Sequence, residues 1–291
     1  MKSLADFIMR SPLQGALVAA LATASLFLAW IGAAAVALMV LRHGVNRAAI
    51  VFLAALVPAA FWMFAGDIGP LTTLVCAVIL AAALRVSQSW SVALLATPFV
   101  IGTWCMLIVL LAPEYVETIR LIFEQVLQGF KARVMSSASD TEREVLDRIN
   151  APSGMQIMGM LAILQALTTI FSLLVGRWWQ ALLYNPGGFQ QEFHALKLDR
   201  LHGLVLVGGF IVVASQDSYS TWSWMFIVPL LVAGMALVHG LVAKSKLPVR
   251  WLVLFYMALF VFRPLVALLA AVAVADSALD FRSRVGQKNR D

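Results

Sequence analysis

Long apolar runs separated by short polar loops fill most of this chain, and their lengths read as membrane crossings. About 20 apolar residues traverse a hydrocarbon core of ~30 Å. On that measure, spans are expected at roughly 48–66, 69–84, 91–112, 155–183, 201–215, 222–243 and 251–276. They follow a first apolar stretch from Ser11 to Leu41. As one helix that stretch is ~46 Å long, too much for a simple crossing. Either it tilts strongly or it breaks, with Trp30-Ile31-Gly32 the expected place. Lys2 and Arg10 precede it in the manner of a signal peptide. The run is roughly two to three times a normal signal core and more spans follow, so it reads as retained. The pattern predicts an all-α polytopic integral membrane helix bundle of about eight spans. It forms a single transmembrane domain over 1–291, with the first and last spans open to a break.

One polar insert, 113–153, interrupts the apolar pattern. Val116, Ile119, Phe123, Val126, Phe130 and Val134 recur at three- and four-residue steps, while Glu117, Arg120, Glu124, Lys131 and Arg133 take the other face. That spacing predicts an amphipathic helix. A Ser-Ser-Ala-Ser bridge (136–139) follows, and Thr141-Glu-Arg-Glu144 has the form of a capping box opening a second short helix. The favoured role is a helix lying on the outer membrane surface. A lid over a cavity and a partner-docking helix are the alternatives. Seven acidic against five basic residues in the insert argue against nucleic acid or anionic lipid as its partner.

Composition agrees with the pattern. Of 291 residues, 62% are apolar and 12% charged, and the mean hydropathy is +0.90. Soluble domains carry about 25% charged residues to keep their surface wet. A soluble enzyme, a disordered chain and a small secreted scaffold are therefore excluded. The formal charge of +6 does not indicate nucleic acid, because the basic residues stand in twos and threes between apolar runs. Arg42, Arg47, Arg85, Arg177, Lys197, Arg200, Lys244, Lys246 and Arg250 fall on one side of the bundle, and the opposite loops around Asp67 and Asp217 carry none. The basic side is expected to face the cytoplasm of a bacterial inner membrane. Trp90, Trp178, Trp179 and Trp251 fall at that boundary, and Trp62, Trp222 and Trp224 at the other. The basic tail from Arg282 prefers the cytoplasm too. A hairpin break at Arg263-Pro264 satisfies that preference, as a split first segment does for Lys2 and Arg10. Cys76 and Cys105 lie in separate apolar segments with no CxxC or Cys/His spacing, and read as packing residues.

Polar groups inside a membrane are expensive and so mark candidate sites. Arg263 lies twelve residues into the last apolar run, and Pro264 frees backbone acceptors beside it. An anionic ligand, an acidic partner or a helix tie are its candidate roles with the side chain pointing into the bundle, and snorkelling to an interface is the remaining one. Arg177 and His239 are further ligand candidates. His43, His194, His202 and His239 all fall toward the basic side, where interfacial placement outweighs convergence on a metal. No HExxH, GxSxG, DxD or P-loop pattern occurs. Neither a catalytic set, a metal nor a cofactor is expected, and the chain does not read as an enzyme.

The stretch GRWWQALLYNPGGFQQEFHALKLDR (176–200) has a helix end with basic and aromatic anchors. Asn185, Pro186, Gly187 and Gly188 supply turn chemistry. Phe189, Phe193 and Leu196 are then placed to dip into the interface while Glu192 and Lys197 stay wet. A tight connection fixing how two spans meet is the bland reading. Together with its neighbours (174–201), this stretch resembles the YybS-like family of bacterial membrane proteins, themselves similar to S components of energy-coupling-factor transporters. The resemblance implies a solute-binding or transport component working with other membrane subunits. It also implies a seam of small residues at four-residue spacing, for helix packing or for contact with a partner subunit. Ala16, Ala20 and Ala24 have that spacing, as do Ala267, Ala271 and Ala275. The alternative is a non-transporting scaffold or assembly protein, in contact with the lipid bilayer and acting through helix–helix contacts or as a homo-oligomer.

Overall fold

The computed structural model describes residues 1–135 and 139–283. The rest of the Ser-Ser-Ala-Ser bridge (136–138) and the basic tail from 284 onward lie outside the described residues. Every regular element among the described residues is helical, and together they form an all-α polytopic membrane bundle. The two ends of the bundle are called here the basic end and the opposite end.

The chain starts at the basic end with α1 (Lys2–Arg10). Ser11 breaks it in extended conformation and caps α2 (Pro12–Ala24), its Oγ accepting from the Gln14 N–H at 3.2 Å. A single 3-10 turn at Leu26–Leu28 reverses the chain into α3 (Ala29–His43). The first apolar stretch is thus a helical hairpin. Its break falls earlier than the expected Trp30-Ile31-Gly32. Gly32 is instead a point of contact: a Cβ there would lie 2.9 Å from the Ala19 carbonyl oxygen of α2. The missing side chain lets two backbones touch.

Helix α4 (Val45–Phe64) runs back alongside α2, and Trp62 Nε1 donates to the Thr23 carbonyl at 3.1 Å. Helices α5 (Gly69–Ser87) and α6 (Trp90–Leu111) complete a pair of crossings. At the opposite end α7 (Pro113–Met135) leaves the bundle with no buried residue, and the short α8 (Asp140–Arg148) follows. Tyr115, near the start of α7, borders a small void shared with α5, α6 and α9. The capping box of α8 sits two residues before the expected one. Ser139 is its N-cap, and its N–H donates to Glu142 at 2.8 Å. Ser139 sits just ahead of the first helical turn and Thr141 already inside it.

The long α9 (Gly154–Tyr184) crosses in the same direction as α3, opening on a Ser153–Gln156 capping box. Then come α10 (Gly188–Ala195), α11 (Arg200–Ala214), a 3-10 segment at Asp217–Phe226 and α12 (Ile227–Lys244). Side chains hold the 3-10 segment together: Ser223 donates to the Ser220 carbonyl and Trp222 Nε1 to the Met155 carbonyl at 2.8 Å. Trp222 and Trp179 are therefore core residues and not interfacial anchors. Among the described residues, six helical segments are long and apolar enough to cross a membrane, seven if α13 and α14 count as one. The count falls short of eight because the 201–215 span is only a 15-residue helix.

The last span is broken at Arg263-Pro264, where α13 (Arg250–Val261) meets α14 (Pro264–Leu279) at 120°. Helix α14 returns to the basic end: Arg200 reaches the Ala278 carbonyl at 3.0 Å and Lys197 pairs with Asp280 at 3.2 Å. Both described ends of the chain thus lie at the basic end. Single cysteines at Lys2, Gln88, Lys246 and Ser283 should label from one side of the membrane, and those at Gly66 and Ser218 from the other. Labelling of Ser283→Cys together with Ser218→Cys would overturn the hairpin.

Helix α3 is the centre of the packing, with Ala33 to Leu41 all buried. Its contact with α9 closes at Gly176, where a Cβ would stand 2.9 Å from the Ala34 carbonyl oxygen and 3.1 Å from Ala37 Cβ. Gly176→Val should cost about 1–3 kcal/mol by overpacking. Gly208→Ala on α11, with nothing within 4 Å, should be neutral or gain up to about 1 kcal/mol of helix propensity. Melting of the detergent-solubilised variants checks the contrast.

Candidate functional site

The charged side chains assigned to the basic side by sequence do meet there, and several of them wall a cavity. Leu41 of α3, Arg85 and Gln88 of α5, Ser89, Trp90 and Ser91 at the start of α6, Arg177 and Gln180 of α9, and Glu192, Leu196 and Lys197 from α10 onward surround about 440 Å³. Its size is that of a small-molecule site.

Each wall has a local cause. Arg85 ends α5 and donates to the Leu41 carbonyl at 2.5 Å, capping the C-terminus of α3 with positive charge. Gln180 donates to the same carbonyl at 3.4 Å. Gln88 closes α5 in the left-handed region at φ +52°, a conformation that costs a non-glycine residue free energy and gathers at turns and sites. Asn185–Gly188 forms the expected turn, with Gly187 at φ +86° and the Gly188 N–H bonded to the Asn185 carbonyl at 2.9 Å. Helix α10 folds back along the cavity as a result. Phe189 stacks on Phe193 at 5.9 Å, Leu196 is buried, and Lys197 is half-buried. Glu192 does not stay wet: Arg177 grips it through Nε at 2.9 Å and Nη2 at 2.6 Å. This bidentate fork bridges the turn and neutralises both charges.

Of the four ligand candidates, only Arg177 reaches this cavity. His239 lies outside it, its Nε2 2.8 Å from the Tyr256 hydroxyl and its ring against Phe193. Arg263 does not point into the bundle. It is exposed at the tip of the α13–α14 bend, has no polar partner among the described residues, and Pro264 is simply the first residue of α14. The bend explains the miss: α13 swings away with no buried residue, so the middle of the apolar run is a rim and not an interior.

The small-residue rows are also displaced. On α2 the buried stripe is Gly15, Ala16, Ala19, Ala22 and Thr23. Ala20 is half-buried and Ala24 exposed. On α14 Leu269, Ala270 and Ala273 face the bundle, while Ala267 and Ala271 are exposed and Ala275 is half-buried. Ala267 and Ala271 border an apolar groove with Phe210 and Trp224.

Sequence reading missed the junction behind the cavity wall. Ser91 Oγ accepts from the Asp199 N–H at 2.8 Å and sits 2.7 Å from His202 Nδ1. Asp199 Oδ2 is 3.3 Å from the same Nδ1. The three residue types are those of a hydrolase triad, but serine and carboxylate share one ring nitrogen, so no proton relay exists. The cluster ties α6 to α11. Ser91 is over a hundred residues from Asp199 and His202, and nothing in a single sequence links them. Arg85 did carry a signal, as a lone cation in a loop without an acid.

No family model, curated protein or solved structure matches the chain.

Helix α10 also carries a titratable group, His194, whose ring lies 6.3 Å from that of His239. Burial, and then the Arg282 guanidinium, hold the His194 pKa below its ordinary value near 6.5. As pH falls the unfolded imidazole protonates first, so stability drops below about pH 6.5. Melting temperature should fall between about pH 7.5 and 5.5, and His194→Gln should flatten that dependence. An unchanged slope would show that His194 is not the group responsible.

Proposed function

We propose that the chain is a membrane solute-binding component, of the transport type, whose ligand site is the cavity at the basic end. One observation carries the reading. In a chain with 12% charged residues, four ionic and two amide side chains converge on one hollow of metabolite size. Convergent polar and charged groups around one well-formed hollow are the pattern of a ligand site. The resemblance of residues 174–201 to the YybS-like family points the same way, because Arg177, Gln180, Glu192 and Lys197 belong to that stretch. On this reading the basic end faces the cytoplasm of a bacterial inner membrane. Coupled movement requires other subunits, since no nucleotide-binding motif is present.

A second reading, a scaffold that organises other membrane proteins, is favoured by one separate feature. The outward Ala267 and Ala271 line an apolar groove beside the splayed α13, a surface suited to another helix.

Ala195→Trp separates the two. Ala195 borders the cavity and is exposed, so the indole fills the hollow without removing a charge. The variant should melt like wild type yet retain at least about tenfold less of any small molecule that co-purifies with wild type, a difference of ~1.4 kcal/mol. Mass spectrometry of the purified protein reads the result. Equal retention defeats the cavity reading, and a stable protein partner with no ligand supports the scaffold.

A further inference from the structure

We propose that the cavity at the basic end binds the phosphate group of its ligand on Arg85 and Lys197. This rests on the reading that the cavity is the ligand site and adds the chemistry of what it takes. The lining carries three cations, Arg85, Arg177 and Lys197, against one carboxylate, Glu192. Arg177 and Glu192 cancel through their bidentate pair. That leaves no free carboxylate in the lining for a cationic ligand, and two positive groups for an anionic one.

Neither remaining cation is saturated. Arg85 has no carboxylate partner among the described residues. Its bond goes to a neutral carbonyl, that of Leu41, which leaves most of the five guanidinium donors unused. Lys197 makes one ion pair, to Asp280 at 3.2 Å outside the lining, and holds that carboxyl below its ordinary range by hydrogen bonding. Two of its three donors stay free.

The start of α6 adds to the same potential. Ser89 caps it, and Trp90 and Ser91 line the cavity, where first-turn amides lack acceptors in their own helix and the helix dipole is positive. Donors therefore come from α5, from α6 and from the link after α10. A tetrahedral oxyanion offers oxygens in as many directions, which a planar carboxylate does not. Headgroup phosphates and soluble phosphate esters both occur at such a boundary, and they share this chemistry.

Two titrations at low ionic strength, where screening is weakest, test the proposal and separate its sources. Delipidated protein in neutral detergent is titrated with inorganic phosphate and with glycerol 3-phosphate, using chloride as the control. In parallel, protein in phosphatidylcholine nanodiscs, with or without phosphatidylglycerol, is assayed by native mass spectrometry for retained anionic lipid. Saturable binding in the first arm identifies a soluble ester, and selective retention in the second a lipid headgroup. Arg85→Gln keeps a donor for the Leu41 carbonyl, and Lys197→Gln gives up only the partly exposed pair with Asp280. Each should weaken whichever binding is seen roughly ten- to a hundredfold, as the loss of a charge-assisted hydrogen bond implies. Arg42→Gln should not. Arg42 stacks 3.9 Å over the Tyr184 ring and does not line the cavity. Absence of binding in both arms, or equal binding by Arg85→Gln and Lys197→Gln, overturns the phosphate assignment. A neutral or cationic molecule that Ala195→Trp loses would overturn it while leaving the cavity reading intact. Retention of the ligand by Ala195→Trp would defeat the cavity reading itself.

Discussion

Helix α3 can stand at the centre of this bundle only because its side chains are small enough for other backbones to reach it. Within lipid no hydrophobic force pulls one apolar helix onto another, so association depends on close van der Waals contact. The Ala33–Ala37 run, bracketed by Gly32 toward α2 and met by Gly176 from α9, supplies that contact on several sides at once. Larger residues at these points would hold the helices apart and leave the α2–α3 hairpin open. The hairpin in turn returns α1 to the basic end, where Ala5 and Ile8 are buried. It also sets the Leu41 carbonyl where Arg85 and Gln180 both find it. The floor of the cavity is thus a consequence of how closely α3 is approached.

Many hydroxyl groups inside the bundle bond back to their own helix before reaching across. Thr72, Thr73, Thr97, Thr168 and Ser172 each donate to the carbonyl four residues earlier. A few then make a second link, with Trp104 Nε1 donating to Thr72 at 3.0 Å and the Gln165 side-chain amide paired with the Thr73 hydroxyl at 2.7 Å. These links pin α5, α6 and α9 together near the opposite end without any ionic group. Buried charge in lipid is costly, and neutral hydrogen bonds between helices contribute about 1–2 kcal/mol at most in model systems. The opposite end is therefore a structural clasp. The cationic side chains packed against the bundle itself, among them Arg85, Arg177 and Lys197, gather at the other end, where water can reach them.

Much of this was legible in the sequence, for identifiable reasons. Span positions follow from apolar length, which a hydrocarbon core fixes almost by itself. The grouping of Arg42, Arg85, Arg177, Lys197, Arg200 and Lys244 at one end was legible from loop charges, and the turn at Asn185–Gly188 from its residue types. The break in the first stretch was misplaced, because Ala-rich sequence has no periodicity to mark where a helix reverses and Gly32 serves contact as well as it would a bend. Which face of the alanine rows is buried was not legible for the same reason: alanine occurs on every face, so four-residue spacing alone cannot choose it. Arg263 failed differently. Depth along an apolar run stands for depth in the membrane only while the helix is straight, and Pro264 ends that equivalence. The cavity itself was invisible, since Arg85, Ser91, Arg177 and Lys197 come from four segments that only the fold brings together.

The arrangement of charge around the cavity also explains why one ion pair there is tight and the other loose. Arg177 and Glu192 face each other across a turn whose backbone is fixed by Gly187 and Pro186, so their fork is pre-organised and each satisfies the other. The pair acts as a neutral wall that holds α10 against α9, and it needs no ligand to be stable. Lys197 lies past the end of α10, and its partner Asp280 sits on the left-handed turn that follows α14, half-exposed to water. Exposed pairs of that kind contribute about 0–1 kcal/mol, so an anion entering the hollow can compete for the ammonium at little loss. Arg85 gives up even less, because its carbonyl contact with Leu41 uses one nitrogen and survives when the others turn to a ligand. A hollow built this way keeps its shape when empty through Arg177, Glu192 and Gln180. Its unspent positive charge resides on the two side chains least committed to the fold.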